Sequence, residues 1–318
     1  MAEMKPKATR ESFGEALAEI GAENERIIVF DADLAGSTKT SVFAKKFPER
    51  FFDCGIAEAN MMSIAAGTAA SGLIPFASTF AMFAAGRAFE QIRNSIGYPH
   101  LNVKIAATHA GLSVGEDGAS HQCNEDIATM RVIPGMTIIC PADDVETKAA
   151  VRAAADCEGP VYLRFGRMAV PAIHDPDNYM FSIGKGILIR EGKDVTIIAA
   201  GLMVSRALQA AELLEKQEIS ARVLDFHTIK PIDRELVVKA VRETGAIVTA
   251  EEHSIIGGLG SAVSEVVTET APAPVIKVGV PDVFGESGPG GEILEKYGLT
   301  AKHIAAAAEQ AIALKKGK

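Results

Sequence analysis

Apolar residues along the chain form short, nearly continuous runs that alternate with segments of helical periodicity. In the first half, the spacing of Phe13, Leu17 and Ile20 predicts an early helix. Apolar runs that predict strands occupy 26–30, 103–107, 136–140, 161–163, 195–200, 221–226, 245–249 and 275–278. Short apolar strands separated by helices are typical of a parallel sheet covered on both faces. The pattern therefore predicts an α/β protein.

A turn-rich segment at 171–178, with two prolines, two aspartates and an asparagine, separates the first four strand runs from the last four. Such a composition marks a candidate domain boundary. We therefore predict a doubly wound, mostly parallel α/β unit at 1–178 and a smaller α/β unit at 179–318. The length of 318 residues agrees with two domains of roughly 150 residues each.

The segment 59–86 carries no charged residue and is the one stretch that raises the question of a membrane span. Gly67, Gly72 and Pro75 interrupt it, and several hydroxyl side chains lie within it. A spanning helix would be uniformly apolar over about 20 residues. We predict two buried helical pieces joined by a strand, and no membrane association.

Charge and cysteine content narrow the function classes. The chain has 41 acidic and 32 basic residues, a net charge of −9, and no Lys/Arg-rich run. This balance argues against nucleic-acid binding but not against a small anionic substrate. The four cysteines form no CxxC pair, and the N-terminal residues lack a signal-peptide hydrophobic core. We expect a cytoplasmic protein with reduced thiols.

The densest group of titratable residues is the loop THAGLSVGEDGASHQ, which directly follows a predicted strand. In doubly wound sheets, ligands bind beyond the carboxyl ends of strands. His109, Asp117 and His121 could therefore contact a ligand and exchange protons near neutral pH. A polar surface loop is the simpler alternative. A metal site formed by these three residues is a further one, but their spacing fits no common zinc pattern, and we predict no metal ligands in this chain.

The pattern of residues alone does not decide whether Glu58, Phe80 and Phe83 are functional or structural. Glu58 begins the uncharged segment, so it is either a buried functional carboxylate or a helix-start residue favoured by the macrodipole. Phe80 and Phe83 are three residues apart, a spacing typical of core packing as well as of a platform for a cofactor ring.

Arg10, Ser37 and Arg164 lie at or near the ends of predicted elements. An arginine that closes a strand can hold a phosphate through two hydrogen bonds, although each of these residues alone is typical of a protein surface.

These motifs, in this order, resemble the thiamin-diphosphate-dependent transketolases. The resemblance covers nearly the whole chain and rests on ATR at 8–10, DADLAGS at 31–37, GIAEANM at 55–61, STFAMF at 78–83, GEDGASHQ at 115–122 and LRFGR at 163–167. It implies a thiamin-diphosphate-binding fold with the pyrimidine-binding domain, followed by the transketolase C-terminal domain.

The resemblance also implies roles for the cofactor residues. The glutamate that matches Glu58 hydrogen-bonds N1′ of the aminopyrimidine and favours the imino tautomer, which then deprotonates the thiazolium carbon. Phe80, with Phe83 nearby, matches the aromatic surface on which the pyrimidine stacks. Asp33 and Leu34 match positions that lie against the cofactor rings.

For the substrate, the resemblance implies that His109, Asp117 and His121 contact sugar hydroxyls and that both histidines are catalytic. Arg10, Ser37, His109 and Arg164 match positions that hold the sugar phosphate. Two residues depart from the family pattern. Asn60 stands where many relatives have histidine, and Gly86 stands where some have a further aromatic residue; both leave the preferred sugars open.

The Gly-Asp-Gly motif with which this family binds diphosphate and Mg²⁺ is absent from the 318 residues. The resemblance therefore implies the C-terminal subunit of a split transketolase. An N-terminal partner subunit would bind the divalent cation, and an α₂β₂ assembly would transfer a two-carbon ketol unit between sugar phosphates of the pentose phosphate type. The alternatives are a subunit like 1-deoxyxylulose-phosphate synthase or the β chain of a 2-oxo acid dehydrogenase, and a non-catalytic binding or regulatory subunit.

Overall fold

The computed structural model describes residues 5–317, so residues 1–4 and 318, at the ends of the two predicted units, lie outside it. The strands of the first half are β1 (Lys7–Ala8), β2 (Ile27–Asp31), β3 (Phe51–Asp53), β4 (Ile74–Phe80), β5 (Lys104–Thr108), β6 (Thr137–Ile139), β7 (Val161–Arg164) and β8 (Ala169–Val170). Its helices are α1 (Thr9–Glu23), α2 (Ala35–Thr38), α3 (Ser41–Lys46), α4 (Glu58–Ala70), α5 (Phe89–Gln91), α6 (Asp126–Arg131) and α7 (Asp144–Asp156). Pro48–Arg50 and Leu112–Asp117 form 3₁₀ turns, and Phe83–Arg87 and Ile92–Gly97 form π-helical turns.

The second half follows the same strand–helix alternation. Its strands are β9 (Ile187–Arg190), β10 (Val195–Ala199), β11 (Ala221–Asp225), β12 (Thr228–Lys230), β13 (Ile247–Ser254) and β14 (Val275–Val280). Its helices are α8 (Met203–Glu215), α9 (Arg234–Thr244), α10 (Leu259–Thr270), α11 (Gly290–Lys296) and α12 (Ala301–Lys316).

Two mostly parallel sheets organise the chain and confirm the predicted α/β architecture. The first has the order β12-β6-β7-β5-β4-β2-β3, and only β12 runs antiparallel to its neighbour. The second has the order β14-β13-β10-β11-β9, with β9 antiparallel. A small sheet pairs β1 with β8. The repeated crossovers place helices against the sheets, and most strand residues are apolar and buried.

One large hydrophobic cluster spans both halves of the chain. Strand β12 comes from the second half but completes the first sheet, and Leu224 and Phe226 pack in the same buried cluster as Ile138 and Tyr162. The strands of the two larger sheets lie on opposite sides of position 178 except for β12, and the domain boundary at 178 stays a prediction.

The uncharged segment 59–86 folds as α4, β4 and a π-helical turn, which confirms the predicted helix–strand–helix arrangement. Strand β4 is buried along its whole length, between β2 and β5. Within residues 5–317, no helix combines the length and the apolar character needed to cross a membrane.

Candidate active site

The predicted cofactor residues lie at one edge of the first sheet. Strands β2, β4 and β5 are parallel neighbours, so their last residues, Asp31, Phe80 and Thr108, end at the same edge. The loops that leave this edge carry Asp33 and His109. In open parallel sheets, this is the edge where ligands bind.

Four aromatic side chains that the sequence singled out form one cluster. The rings of Phe80 and His109 stack with centroids 3.8 Å apart. Phe83 stacks on Phe80 at 5.8 Å, and His121 meets Phe83 edge-on at 5.5 Å. Phe80 and His109 are buried, whereas Phe83 and His121 are half-buried. The cluster therefore offers part of an aromatic surface to a bound ring.

His109 is held as a neutral imidazole. Its backbone has a positive φ of 56°, and its Nδ1 lies 2.9 Å from the hydroxyl of Thr108. Burial lowers the pKa of His109 to about 3, and the positive charges of Arg10 and Arg167 act in the same direction. At physiological pH the ring can therefore donate or accept hydrogen bonds but does not carry charge.

Glu58 begins α4 and is buried, with 1% of its side chain exposed. Both of its carboxylate oxygens lie 3.0 Å from Nη1 of Arg87, whose side chain is 52% exposed. The guanidinium carbon of Arg87 lies 4.6 Å from the ring centroid of Phe83. A planar, nitrogen-rich group thus sits over an aromatic ring and donates to a buried carboxylate. An aminopyrimidine ring would require the same two contacts, so the residues fit the cofactor implied by the motifs.

Asp31 shapes the loop that carries Asp33, Leu34 and Ser37, and sequence reasoning gave it no role. Its carboxylate accepts hydrogen bonds from the amide of Leu34 at 2.6 Å and from the hydroxyls of Thr38 and Thr40 at 2.7 and 2.8 Å. Burial raises the pKa of Asp31 to about 6, although these hydrogen bonds oppose the shift. The sequence feature that could have indicated a role for Asp31 is its position as an acidic residue at the end of a buried strand.

Asp33, Leu34 and Ser37 differ in their exposure on this loop: Asp33 is exposed, and the other two are half-buried. The amide of Asp33 donates to Asp53 Oδ1 at 3.0 Å, and its φ is 62°. Arg10 donates from Nη1 to the backbone carbonyl of Ser37 at 2.7 Å, which joins α1 to this loop.

Arg10 and Arg167 form the positive side of the site. Burial lowers the pKa of Arg10, opposed by Glu11, and the charge of Arg167 adds to the lowering. Arg167 is about one-third exposed and donates to the carbonyl of Val114 and to Glu116 at 3.0 Å. Its charge acts on both Arg10 and His109. Sequence reasoning missed Arg167, although its position just beyond the end of β7 was visible in the LRFGR motif.

Arg164, the other arginine predicted to hold a phosphate, is paired with protein groups, and its phosphate role stays a prediction. It is the last residue of β7 and is 5% exposed. Its Nε donates to Asp126 at 2.8 Å, and its Nη2 donates to the carbonyl of Glu252 at 2.9 Å. The guanidinium is thus occupied by a buried ion pair and by the backbone of the second half.

The second half of the chain holds the polar loop in place. The amide of Ser113 donates to Glu252 at 2.6 Å, and Gln122 donates to the carbonyl of Glu286 at 2.9 Å. Asp117 is exposed on this loop, with Oδ2 3.9 Å from Arg167 Nη1. Both residues that depart from the family pattern, Asn60 on α4 and Gly86 in the π-helical turn, are exposed.

Comparison with known proteins assigns the chain to a class and a family. Residues 5–172 match the model described as transketolase, pyrimidine binding domain, and residues 184–304 match transketolase, C-terminal domain. The fold and these matches define a pyrimidine-binding domain joined to a transketolase-type C-terminal domain. The chain belongs to the transketolase family.

Three relatives cover nearly the whole chain. It is 51% identical to a putative transketolase C-terminal section from Methanocaldococcus jannaschii, over 94% of both proteins. It is 41% identical to one of the subunits of an apulose-4-phosphate transketolase from Phocaeicola vulgatus, over 93% of this chain and 95% of that protein. A solved structure titled split gene transketolase, inactive beta4 tetramer, matches with a TM-score of 0.90 and 59% identity, over 98% of this chain and 100% of that one.

Proposed function

We propose that this chain is the C-terminal subunit of a two-chain transketolase that transfers a two-carbon ketol unit from a ketose phosphate to an aldose phosphate. The cluster of Phe80, Phe83, His109 and His121 beside the buried carboxylate of Glu58 carries the proposal. The relatives named as a C-terminal section or as a subunit are matched over 94% and 95% of their own length, which supports an enzyme divided between two chains.

Each group of residues has a role in this proposal. When bound, thiamin diphosphate supplies a carbon that becomes nucleophilic once it loses its proton. Glu58 would share a proton with N1′ of the pyrimidine, and Phe83 would stack against that ring. Neutral His109, together with His121, would exchange protons with the sugar hydroxyls. Arg10 and Arg167, with Ser37 nearby, would attract the sugar phosphate.

The remaining part of the site would come from an N-terminal partner subunit that binds the diphosphate and a divalent cation. An α₂β₂ assembly, a cytoplasmic location and a place in sugar-phosphate metabolism belong to the same proposal. A site divided between chains works when both subunits present their residues at a common interface.

Reconstitution tests the proposal. The chain is combined with an N-terminal transketolase chain that carries the Gly-Asp-Gly motif, together with thiamin diphosphate and Mg²⁺. We expect ketol transfer from xylulose 5-phosphate to ribose 5-phosphate. Glu58→Ala should lower turnover at least about 100-fold, the scale of general acid–base catalysis, while gel filtration still shows the complex. Glu90→Ala, at an exposed acid, is the matched control.

Other outcomes favour the rival functions. Use of pyruvate instead of xylulose 5-phosphate as the donor would indicate a thiamin enzyme of the synthase or dehydrogenase type. No gain of activity on adding the partner would indicate a binding or regulatory subunit. Near-wild-type turnover of Glu58→Ala would contradict the role given to that carboxylate.

A further inference from the structure

Three buried side chains with metal-binding groups converge where the two halves of the chain meet. Glu146 lies on α7, His174 lies in the turn-rich segment, and Asp225 ends β11. Their side chains are 0%, 4% and 0% exposed. One ligand atom from each residue lies within 4.8 Å of the other two. The proposed ketol transfer uses none of these residues.

The separations suit a small cation. His174 Nε2 lies 3.3 Å from Asp225 Oδ2 and 3.9 Å from Glu146 Oε1. Around a tetrahedral zinc ion with bonds of about 2.0–2.2 Å, neighbouring ligand atoms are roughly 3.3–3.6 Å apart. Because all three ligand atoms lie within 4.8 Å of one another, adjustment of the side chains around a bound ion would bring them to such a geometry.

Asp225 and His174 have unused hydrogen-bonding capacity that points into the cluster. Within the described part of the chain, neither carboxylate oxygen of Asp225 has a hydrogen-bond partner, and neither does Nε2 of His174. Buried polar atoms are nearly always satisfied, because their desolvation is costly. A cation bound between these atoms would satisfy Asp225 and His174 at once. Glu146, whose oxygens already accept hydrogen bonds from Tyr179 and from the amide of Ala142, would supply the third ligand.

The surrounding groups orient the ligands as in known metal sites. Nδ1 of His174 lies 3.3 Å from Asp143 Oδ1, and the other oxygen of Asp143 accepts the amides of Ile173 and His174. Tyr179 donates to Glu146 Oε1 at 2.5 Å. Outer carboxylates and hydroxyls of this kind fix the orientation of ligating histidines and acids.

The negative charge of the cluster also favours a bound cation. Asp143, Glu146 and Asp225 are three buried acids, and the described ion pairs give them no lysine or arginine partner. With an imidazolium, the cluster would retain a formal charge of −2 if every carboxyl were ionised. A divalent ion with a neutral imidazole would reduce this to −1.

We propose that Glu146, His174 and Asp225 bind a divalent transition-metal ion, with Zn²⁺ as the best match for one imidazole and two carboxylates. The ion would connect α7, the turn-rich segment and β11, and so would hold the two halves together. This inference is independent of the proposed ketol transfer, because the free chain, without cofactor or partner, is sufficient to test it.

The test measures metal content and affinity in the purified full-length chain. We expect about one metal ion per chain by elemental analysis after dialysis, or stoichiometric uptake of Zn²⁺ by the metal-free chain in calorimetry. Chelation should lower the melting temperature, and added Zn²⁺ should restore it. Asp225→Asn and His174→Gln should each weaken Zn²⁺ binding at least about 10-fold, whereas Asp177→Asn, at an exposed acid, should not.

The competing state has a proton in place of the ion. Burial opposes protonation of His174, but the nearby carboxylates of Asp143 and Asp225 and the charge of Glu146 raise its pKa to about 10. A wild-type chain that binds no Zn²⁺, Mn²⁺ or Mg²⁺, and whose melting temperature is unchanged by chelator, would overturn the proposal in favour of this buried imidazolium. The metal-binding and melting measurements on the wild-type chain test the proposal by themselves, so the conclusion does not depend on whether a variant folds.

Discussion

Replacing Arg87 with methionine should destabilise the isolated chain and strengthen cofactor binding in the assembled enzyme. Arg87 is the described hydrogen-bond partner of the Glu58 carboxylate, and it lies over Phe83. Its removal leaves a carboxylate that is 1% exposed without its counter-ion. A wholly buried pair loses about 3–5 kcal/mol when one partner is removed, whereas an exposed pair loses about 1 kcal/mol or less.

Because half of the Arg87 side chain is exposed, water screens the pair from one side. We therefore expect Arg87→Met to lower the free energy of unfolding by about 1–2 kcal/mol, between those two limits. Methionine keeps an unbranched side chain of good helical propensity, so loss of the charge dominates the effect. Arg93→Met is the matched control, because Arg93 is exposed and pairs only with neighbouring Asn94 in the described contacts.

The assay is a double-mutant cycle by denaturant unfolding at one fixed protein concentration, since any self-association adds to apparent stability. Glu58→Gln removes the charge that needs Arg87, so the loss caused by Arg87→Met should largely vanish in the double variant. In the reconstituted enzyme, Arg87→Met should lower the Kd for thiamin diphosphate. The guanidinium would no longer occupy Glu58 and Phe83, the two residues that the pyrimidine would contact. Additive effects of the two substitutions, together with an unchanged Kd, would refute the reasoning.

Three further predictions follow from the site. Burial raises the pKa of Asp31 from 3.8 to about 6. The folded chain therefore holds this proton more tightly than the unfolded chain, and the free energy of unfolding falls by about 3 kcal/mol as the pH rises from about 4 through 6. Asp31→Asn should flatten this decline between about pH 4 and 6.5, and an unchanged slope contradicts this. The pKa of His109, lowered to about 3 by burial, predicts no titration of its ring between pH 5 and 8 by NMR, and a midpoint near 6.5 would show the ring to be solvated. Arg167→Met should raise the KM for a phosphorylated donor roughly 10- to 100-fold with little change in stability. Arg164→Met should lower the free energy of unfolding by about 3–5 kcal/mol, because it leaves the buried carboxylate of Asp126 without its counter-ion. The reverse pattern would return the phosphate role to Arg164.

Several features of the fold were visible in the sequence because they are local. The strand runs lie within one to a few residues of the observed strands, and segment 59–86 forms the predicted helix, strand and helical turn. Short strands such as β3 and β12 were missed, because three residues give too little periodicity to distinguish a strand from a loop. The motifs at the ends of β2, β4 and β5 could be expected to lie together, since parallel neighbours end at one edge.

The sequence by itself determined the α/β class and the order of the motifs, because hydrophobic periodicity and strand ends are set by neighbouring residues. Only the tertiary structure decided which charges meet. Arg87 reaches Glu58 across 29 positions, and Arg164 turns inward to Asp126 while Arg167 stays at the site. The cluster of Glu146, His174 and Asp225 draws on three separate segments. Such pairings depend on how the chain closes in space, and no local pattern along it records them.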